Sequence, residues 1–289
     1  VKIKNSTMAK IKDKIEDERR FAESEPIKGE PNDYKFLDEK GEHMHTLRGQ
    51  PLLGTSTIIG VIAKPLTYWA SGKAVSTLGW TATKSDPTMR LEVAKIALEG
   101  IKALEAEDWL KRLDLAYKAH AVNLKETAKT GTDLHSELEK FVKDYMNGKL
   151  TDYASKIKPF VEWTKKNVKR FLASEAHIYS EKLHTGGIVD CIAELKSGEI
   201  VVMDFKSSKE AYPAQFLQTG GYTIQIEENG FFDKDGNLLG KIEKEITALA
   251  IVPFGAEIVE PVFNYDVKGC KEGFRFALGL YKFLNQYEK

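Results

Sequence analysis

Only two cysteines, Cys191 and Cys270, occur among the 289 residues of the chain. Neither belongs to a C-x-x-C pair, so a four-thiolate zinc site or iron–sulfur cluster within one chain is excluded. So little cysteine fits a reducing compartment, and a cytoplasmic location is expected. Long hydrophobic runs are lacking too. The most apolar strand-like run, Ile246 to Phe254, is far too short to cross a bilayer, and no membrane association is expected. The first 20 residues are rich in lysine and glutamate without a hydrophobic centre, so they do not read as a secretory signal. Net charge is absent as well, because 43 Lys and Arg balance 43 Asp and Glu. That argues against a histone-like coat of positive charge. It leaves room for a local basic groove beside an acidic metal site.

What is present reads as a soluble, globular chain: 42% apolar and 30% charged residues. Its length suits one large domain or two modest ones. Residues 1–33 form a charged segment punctuated by Pro26 and Pro31. Residues 34–130 are expected to hold a hairpin over Tyr34–Leu47, turning at Asp38-Glu39-Lys40-Gly41, and then a mostly helical region. Trp69, Trp80 and Trp109 are expected to anchor its packing. Gly131 is expected to open a new helix to Met146, closed by Asn147-Gly148, and a long helix is expected from Asp152 to Phe171. The pattern changes at Ala173. Strands are expected over Ser174–Tyr179, Gly187–Leu195 and Glu199–Phe205, with Lys196-Ser197-Gly198 turning between the last two. A helix from Ala211 to Glu228 follows, then a hairpin at Asp233–Gly236, strands over Ile246–Pro253 and Glu257–Asn264, and a helix from Cys270 to Gln286. The layout predicts an α/β fold in which residues 131–289 form a mixed sheet flanked by helices, after a helical N-terminal region.

The chemistry concentrates at one strand end. In Ile200-Val201-Val202-Met203-Asp204-Phe205-Lys206, alternation puts Ile200, Val202, Asp204 and Lys206 on one face. Val201, Met203 and Phe205 take the other. Both faces begin apolar, which predicts a central strand. The preceding strand carries Asp190 between Ile188 and Ile192, and the hairpin can bring it near Asp204. Two carboxylates beside an ammonium suit phosphodiester hydrolysis. Oxygen ligands select a hard cation such as Mg²⁺, and the lysine can face the anionic substrate. An acid and a lysine two residues apart at a strand end also describe an ordinary ion pair.

Further residues extend the pattern. Gly187-Ile188-Val189-Asp190 is G-x-x-D. Gln218 and Tyr222 form Q-x-x-x-Y, one turn apart on a helix face. His135 sits in Gly131-Thr132-Asp133-Leu134-His135, and Glu175 precedes the Asp190 strand. In order, H…E…GxxD…DxK…QxxxY resembles the RecB-like branch of the PD-(D/E)xK nuclease superfamily, most closely over residues 130–225. Gly54-Thr55-Ser56-Thr57-Ile58-Ile59-Gly60, with Lys64-Pro65-Leu66 and Trp69-Ala70, is loosely similar to the opening of the phage and mitochondrial genome maintenance exonucleases. Some relatives carry four cysteines for an iron–sulfur cluster. Their lack here points to the cluster-free types.

The resemblance implies a restriction-endonuclease-like fold and a Mg²⁺-dependent exodeoxyribonuclease, with Mn²⁺ able to substitute. Its partner would be DNA, single-stranded or with a free end, in a bacterial or phage-infected cell. It implies Asp190, Asp204 and the Phe205 carbonyl as metal ligands, Lys206 as the catalytic lysine, and His135 as a further ligand or substrate contact. Glu175 would orient a ligand or water, Gln218 would position Lys206 or substrate, and Tyr222 would face the DNA path or pack its helix. The alternatives are plain. His135 can cap or pack its helix, Glu181 competes for the role of Glu175, and Tyr222 suits a core equally well. Lys165, Lys166, Lys169 and Arg170 form a basic run on the expected long helix, either a solvated face or a track for a DNA backbone. At the level of function, a non-catalytic DNA-binding module and a restriction-type endonuclease are the rival readings.

Overall fold

The computed structural model describes residues 34–39, 42–62, 67–79, 87–149, 152–257 and 259–286. The charged segment 1–33, Lys64-Pro65-Leu66, Trp80 and the Lys40-Gly41 turn lie outside them. The chain divides into two compact units, residues 1–62 with 134–289, and residues 63–133. The smaller unit is helical. It contains α2 (Thr67–Thr77), α3 (Pro87–Lys102) and the first part of α4 (Ala106–Met146). Within it, Arg112 Nε donates to the Thr77 carbonyl at 3.2 Å and Ala116 is buried. Among the described residues no helix is long and apolar enough to cross a membrane.

The larger unit is a mixed, mostly antiparallel α/β arrangement. It opens with β1 (Tyr34–Glu39) and β2 (Glu42–Leu47), the expected hairpin, extended by β3 (Gln50–Pro51). Next come β4 (Leu53–Gly54) and the short α1 (Thr55–Ile59). After α4 come α5 (Lys158–Asn167), β5 (Val168–Ser180), β6 (Thr185–Leu195) and β7 (Ile200–Lys206). α6 (Pro213–Asn229), β8 (Phe231–Phe232), β9 (Leu238–Gly240), β10 (Ile246–Pro253), β11 (Val262–Asn264) and α7 (Val267–Asn285) complete it. The main sheet runs β11-β10-β7-β6-β5-β8-β9, with β4 added to β6. β10 is parallel to β7 and β4 is parallel to β6; the other neighbours are antiparallel.

β7 is central, as its two apolar faces predicted, and those faces feed two separate cores. Val201, Met203 and Phe205 join Leu138, Phe141 and Val142 of α4 and Phe160 of α5. Ile200 and Val202 join Phe216, Tyr222 and Ile226 of α6. The sheet therefore lies between the C-terminal part of α4 with α5 on one side and α6 on the other. α7 packs behind α6 through Phe274, Ala277 and Leu278, which meet Ile224 and the Ile58–Ile59 pair of α1.

Three expectations need correction. No new helix opens at Gly131; α4 runs unbroken from Ala106 to Met146. A single glycine costs a helix only about 1 kcal/mol, too little to end one that continues on both sides. The long helix expected to Phe171 stops at Asn167, because Val168 and Phe171 are β-formers buried in the sheet core. Lys169 and Arg170 therefore stand on β5, not on a helical basic face. The last helix starts three residues early, at Val267, where the Asp266 side chain accepts the Gly269 N–H at 2.9 Å as an N-cap.

Close approach of α7 to α6 depends on Gly220 and Gly221. A Cβ on Gly220 would lie 2.5 Å from the Cys270 carbonyl, and one on Gly221 would lie 2.7 Å from the Phe274 ring. Gly220→Ala is expected to destabilise the protein by about 1–3 kcal/mol. Gly279→Ala on α7, with nothing within 4 Å of the new methyl, is expected to gain about 0.4–1 kcal/mol. Urea unfolding of the two variants beside the parent checks the opposite signs.

Candidate active site

The β6–β7 ladder pairs Glu194 with Ile200, Ala193 with Val201, Ile192 with Val202 and Cys191 with Met203. The next pair in that register would be Asp190 with Asp204, and there the ladder ends. Beyond this point β6 keeps its β5 partner as far as Thr185, and β7 keeps β10 as far as Lys206. The two strands thus fork at the two aspartates. The Asp190 side chain takes over the role of the lost ladder, its Oδ2 accepting the Phe205 N–H at 2.5 Å. This charge-assisted bond satisfies a backbone donor that the fork would otherwise strand.

Asp204 is 1% exposed. Lys206 Nζ lies 2.6 Å from its Oδ2, a buried ion pair. Burial pushes the Asp204 carboxyl up to about 7; Lys206 opposes the rise and Asp190 adds to it. Burial works against the Lys206 ammonium, yet the fields of Asp204 and Asp190 prevail and raise its pKa.

His135 reaches the fork from α4, its Nε2 at 3.4 Å from Asp190 Oδ2. Its ring meets Phe205 and Phe254 edge-on. Burial disfavours its charged form, but the hydrogen bond and charge of Asp190, with the fields of Glu175 and Asp204, raise its pKa overall. Glu175 stands on β5 with φ 49°, a left-handed conformation rare for a side-chain-bearing residue in a strand. Burial first, then the charges of Asp190 and Glu139, push its carboxyl to about 7. Glu181, the competitor for its role, is paired with Arg48 at 2.8 Å instead.

Gln218 and Tyr222 come from α6, on the opposite side of the sheet. Gln218 Nε2 donates to the Tyr222 hydroxyl at 2.5 Å, and both residues are buried. Tyr222 is buried in the core formed with α6. Its ring lies against Gly187, where a Cβ would come within 2.9 Å, so the glycine of G-x-x-D accommodates the tyrosine of Q-x-x-x-Y. Burial and the charges of Asp204 and Asp190 raise the phenol pKa well above its ordinary value, so it stays protonated.

Two features escaped the sequence reading. Glu139 lies one turn beyond His135 on α4, and ligand atoms of His135, Glu139 and Glu175 lie within 4.8 Å of one another, a half-buried group that could hold a metal ion. The His-x-x-x-Glu spacing was available as a signal, by the same one-turn logic applied to Gln218 and Tyr222. The Gly54–Gly60 segment has a structural role. β4 pairs with the outer end of β6, and the Thr55 hydroxyl donates to the Gly186 carbonyl at 3.0 Å while accepting from Gln225 Nε2 at 2.7 Å. Gln225 Nε2 also lies 2.9 Å from Thr185 Oγ1, so α1, β6 and α6 share one buried polar network.

No protein-family model matches the chain, and a search of the curated proteins finds no match.

The pKa shifts set how stability varies with pH. The folded-state values of Asp204 and Glu175, about 7, lie above ordinary carboxylate values near ~4. Between those limits the folded protein holds protons that the unfolded chain releases, so stability falls as pH rises from about 4 to 7. The raised His135 value acts in the same direction, with stability lost as pH rises through it. Thermal melts in chelator are expected to show Tm declining from pH 5 to 8, with a shallower decline in Asp204→Asn. Equal slopes in parent and variant would show that Asp204 is not the source.

Proposed function

We propose that the chain is a divalent-metal-dependent deoxyribonuclease with a restriction-endonuclease-like core, in which the β6–β7 fork is the active site. The observation that carries this is the convergence of Asp190, Asp204 and Lys206 where the ladder ends. The donor chemistry fits a hard cation: two carboxylates and the backbone carbonyl of Phe205 would hold it. The structural support for that fit is the buried Asp204 carboxyl, whose pKa has risen because Lys206 and His135 do not offset its burial. When bound, Mg²⁺ supplies Lewis-acid polarisation of the phosphoryl oxygen and a more acidic water.

The chain's own groups would do the rest. Asp190 is fixed by the Phe205 N–H, so one carboxylate is positioned before any ligand arrives. Lys206, a quarter exposed, is the cation of the site able to meet a phosphate. Gln218 and Tyr222 back the fork from α6. The preference for DNA ends comes from the resemblance to the phage and mitochondrial exonucleases.

The test is digestion of linear and covalently closed DNA in Mg²⁺ or EDTA, with Asp204→Ala and Lys206→Ala beside the parent. The expected result is loss of linear DNA only in Mg²⁺, reduced at least about 100-fold by either substitution. Activity surviving both substitutions would remove the fork as the active site. Cutting of closed circles would replace the exonuclease with an endonuclease. Mg²⁺-independent DNA binding without cleavage would favour a binding module.

A further inference from the structure

The Asp190–Asp204 fork does not account for all the ligand-bearing residues around it. His135, Glu139 and Glu175 bring one imidazole nitrogen and two carboxylate oxygens within 4.8 Å of one another, and neither Asp190 nor Asp204 joins that group. The donors come from different elements, His135 and Glu139 from α4 and Glu175 from β5. Both elements are held by one core, α4 through Leu138, Phe141 and Val142, β5 through Val168 and Phe171. The spacing is therefore fixed by packing, not by flexible surface side chains. A second observation points to a ligand. Glu175 Oε1 is a buried oxygen with no hydrogen-bond partner, although its residue has been pressed into a left-handed backbone conformation within a strand. Buried polar atoms are nearly always satisfied, and a bound cation is one way to satisfy this one.

The donor set differs from that of the fork. Oxygen-only sites suit Mg²⁺ and Ca²⁺, whereas an imidazole beside carboxylates favours first-row transition metals. We infer that His135, Glu139 and Glu175 bind a divalent transition-metal ion such as Mn²⁺ beside the oxygen-lined fork, which His135 adjoins through Asp190. Glu139 is ion-paired with Lys143, half exposed one turn further along α4. A metal ion therefore competes with that ammonium for the carboxylate, and removing the lysine should tighten binding. The inference goes beyond the nuclease reading and does not depend on cleavage.

The test counts ions instead of turnover. The full chain, stripped with chelator and dialysed, is titrated with MnCl₂ while the electron paramagnetic resonance signal of free Mn²⁺ is followed. The parent is expected to bind Mn²⁺ in a class that survives excess Mg²⁺. Glu139→Gln is expected to weaken this class by more than about tenfold, since even groups that merely support metal ligands cost that much when removed. Lys143→Gln, an exposed change that leaves the core untouched, is expected to strengthen it. Asp204→Asn is expected to leave it in place. Circular dichroism melts confirm that each variant folds. Mn²⁺ binding unchanged by both Glu139→Gln and Lys143→Gln, or lost only in Asp204→Asn, overturns the inference. Failure of DNA cleavage leaves it standing, and failure of the Mn²⁺ count leaves the fork intact.

Discussion

The end of the β6–β7 ladder sets most of what surrounds it. Two neighbouring strands that stay paired with outer partners but part from each other leave backbone groups and side chains facing a gap. Here the gap is closed by Asp190, whose carboxylate replaces the missing ladder bond to Phe205. Because the acid does this structural work, its orientation is fixed by the backbone of the strand that carries Asp204 and Lys206. The fork also makes the gap reachable from both sides of the sheet. His135 approaches with the α4 core, while Tyr222 and Gln218 approach with the α6 core.

The support behind the fork is unusually polar for a buried helix. Gln215, Gln218, Thr219, Thr223 and Gln225 of α6 are all buried. Such a helix survives burial because its side chains find partners, local ones for the first four and Thr55 and Thr185 in neighbouring elements for Gln225. Thr219 and Thr223 return their hydroxyls to carbonyls of the preceding turn, Gln215 receives the Tyr212 N–H, and Gln218 binds Tyr222. Small residues then let the layers close up: Gly187 admits the Tyr222 ring, and Gly220 and Gly221 admit α7. The motif spacing G-x-x-D and Q-x-x-x-Y thus has a packing cause as well as a chemical one.

The α/β order and the central place of β7 were legible because they rest on short-range pattern: alternation over Ile200–Lys206, the Lys196-Ser197-Gly198 turn, and the apolar run at Ile246–Pro253. The meeting of Asp190 with the Phe205 strand was legible for the same reason, since a tight hairpin fixes its own register. The boundaries that went astray depended on tertiary context. Asn167 ends a helix because Val168 and Phe171 find a sheet core, which no local signal announces. Glu139 was passed over because a glutamate one turn after a histidine is commonplace on a solvated helix. Only β5, more than thirty residues later, brings Glu175 opposite and gives the pair a meaning.

Two buried acids on adjacent strands show how charge separates a site from a structural cluster. Glu194 on β6 is covered by Lys169, Arg170 and Lys244, and their hydrogen bonds hold its carboxyl down to about 2. Three cations for one acid leave nothing for a further cation to do. Asp204 on β7 is paired with Lys206 and lies in the fields of Asp190, which raises its carboxyl, and His135, which lowers it; burial carries it up to about 7. Burial is the largest cause of the rise at Asp204, whereas at Glu194 the hydrogen bonds of Lys244, Arg170 and Lys169 outweigh it. A sheet able to surround Glu194 with three basic side chains leaves the fork short of positive charge. That shortfall, more than the presence of acids, is what the proposed cation site at the fork rests on.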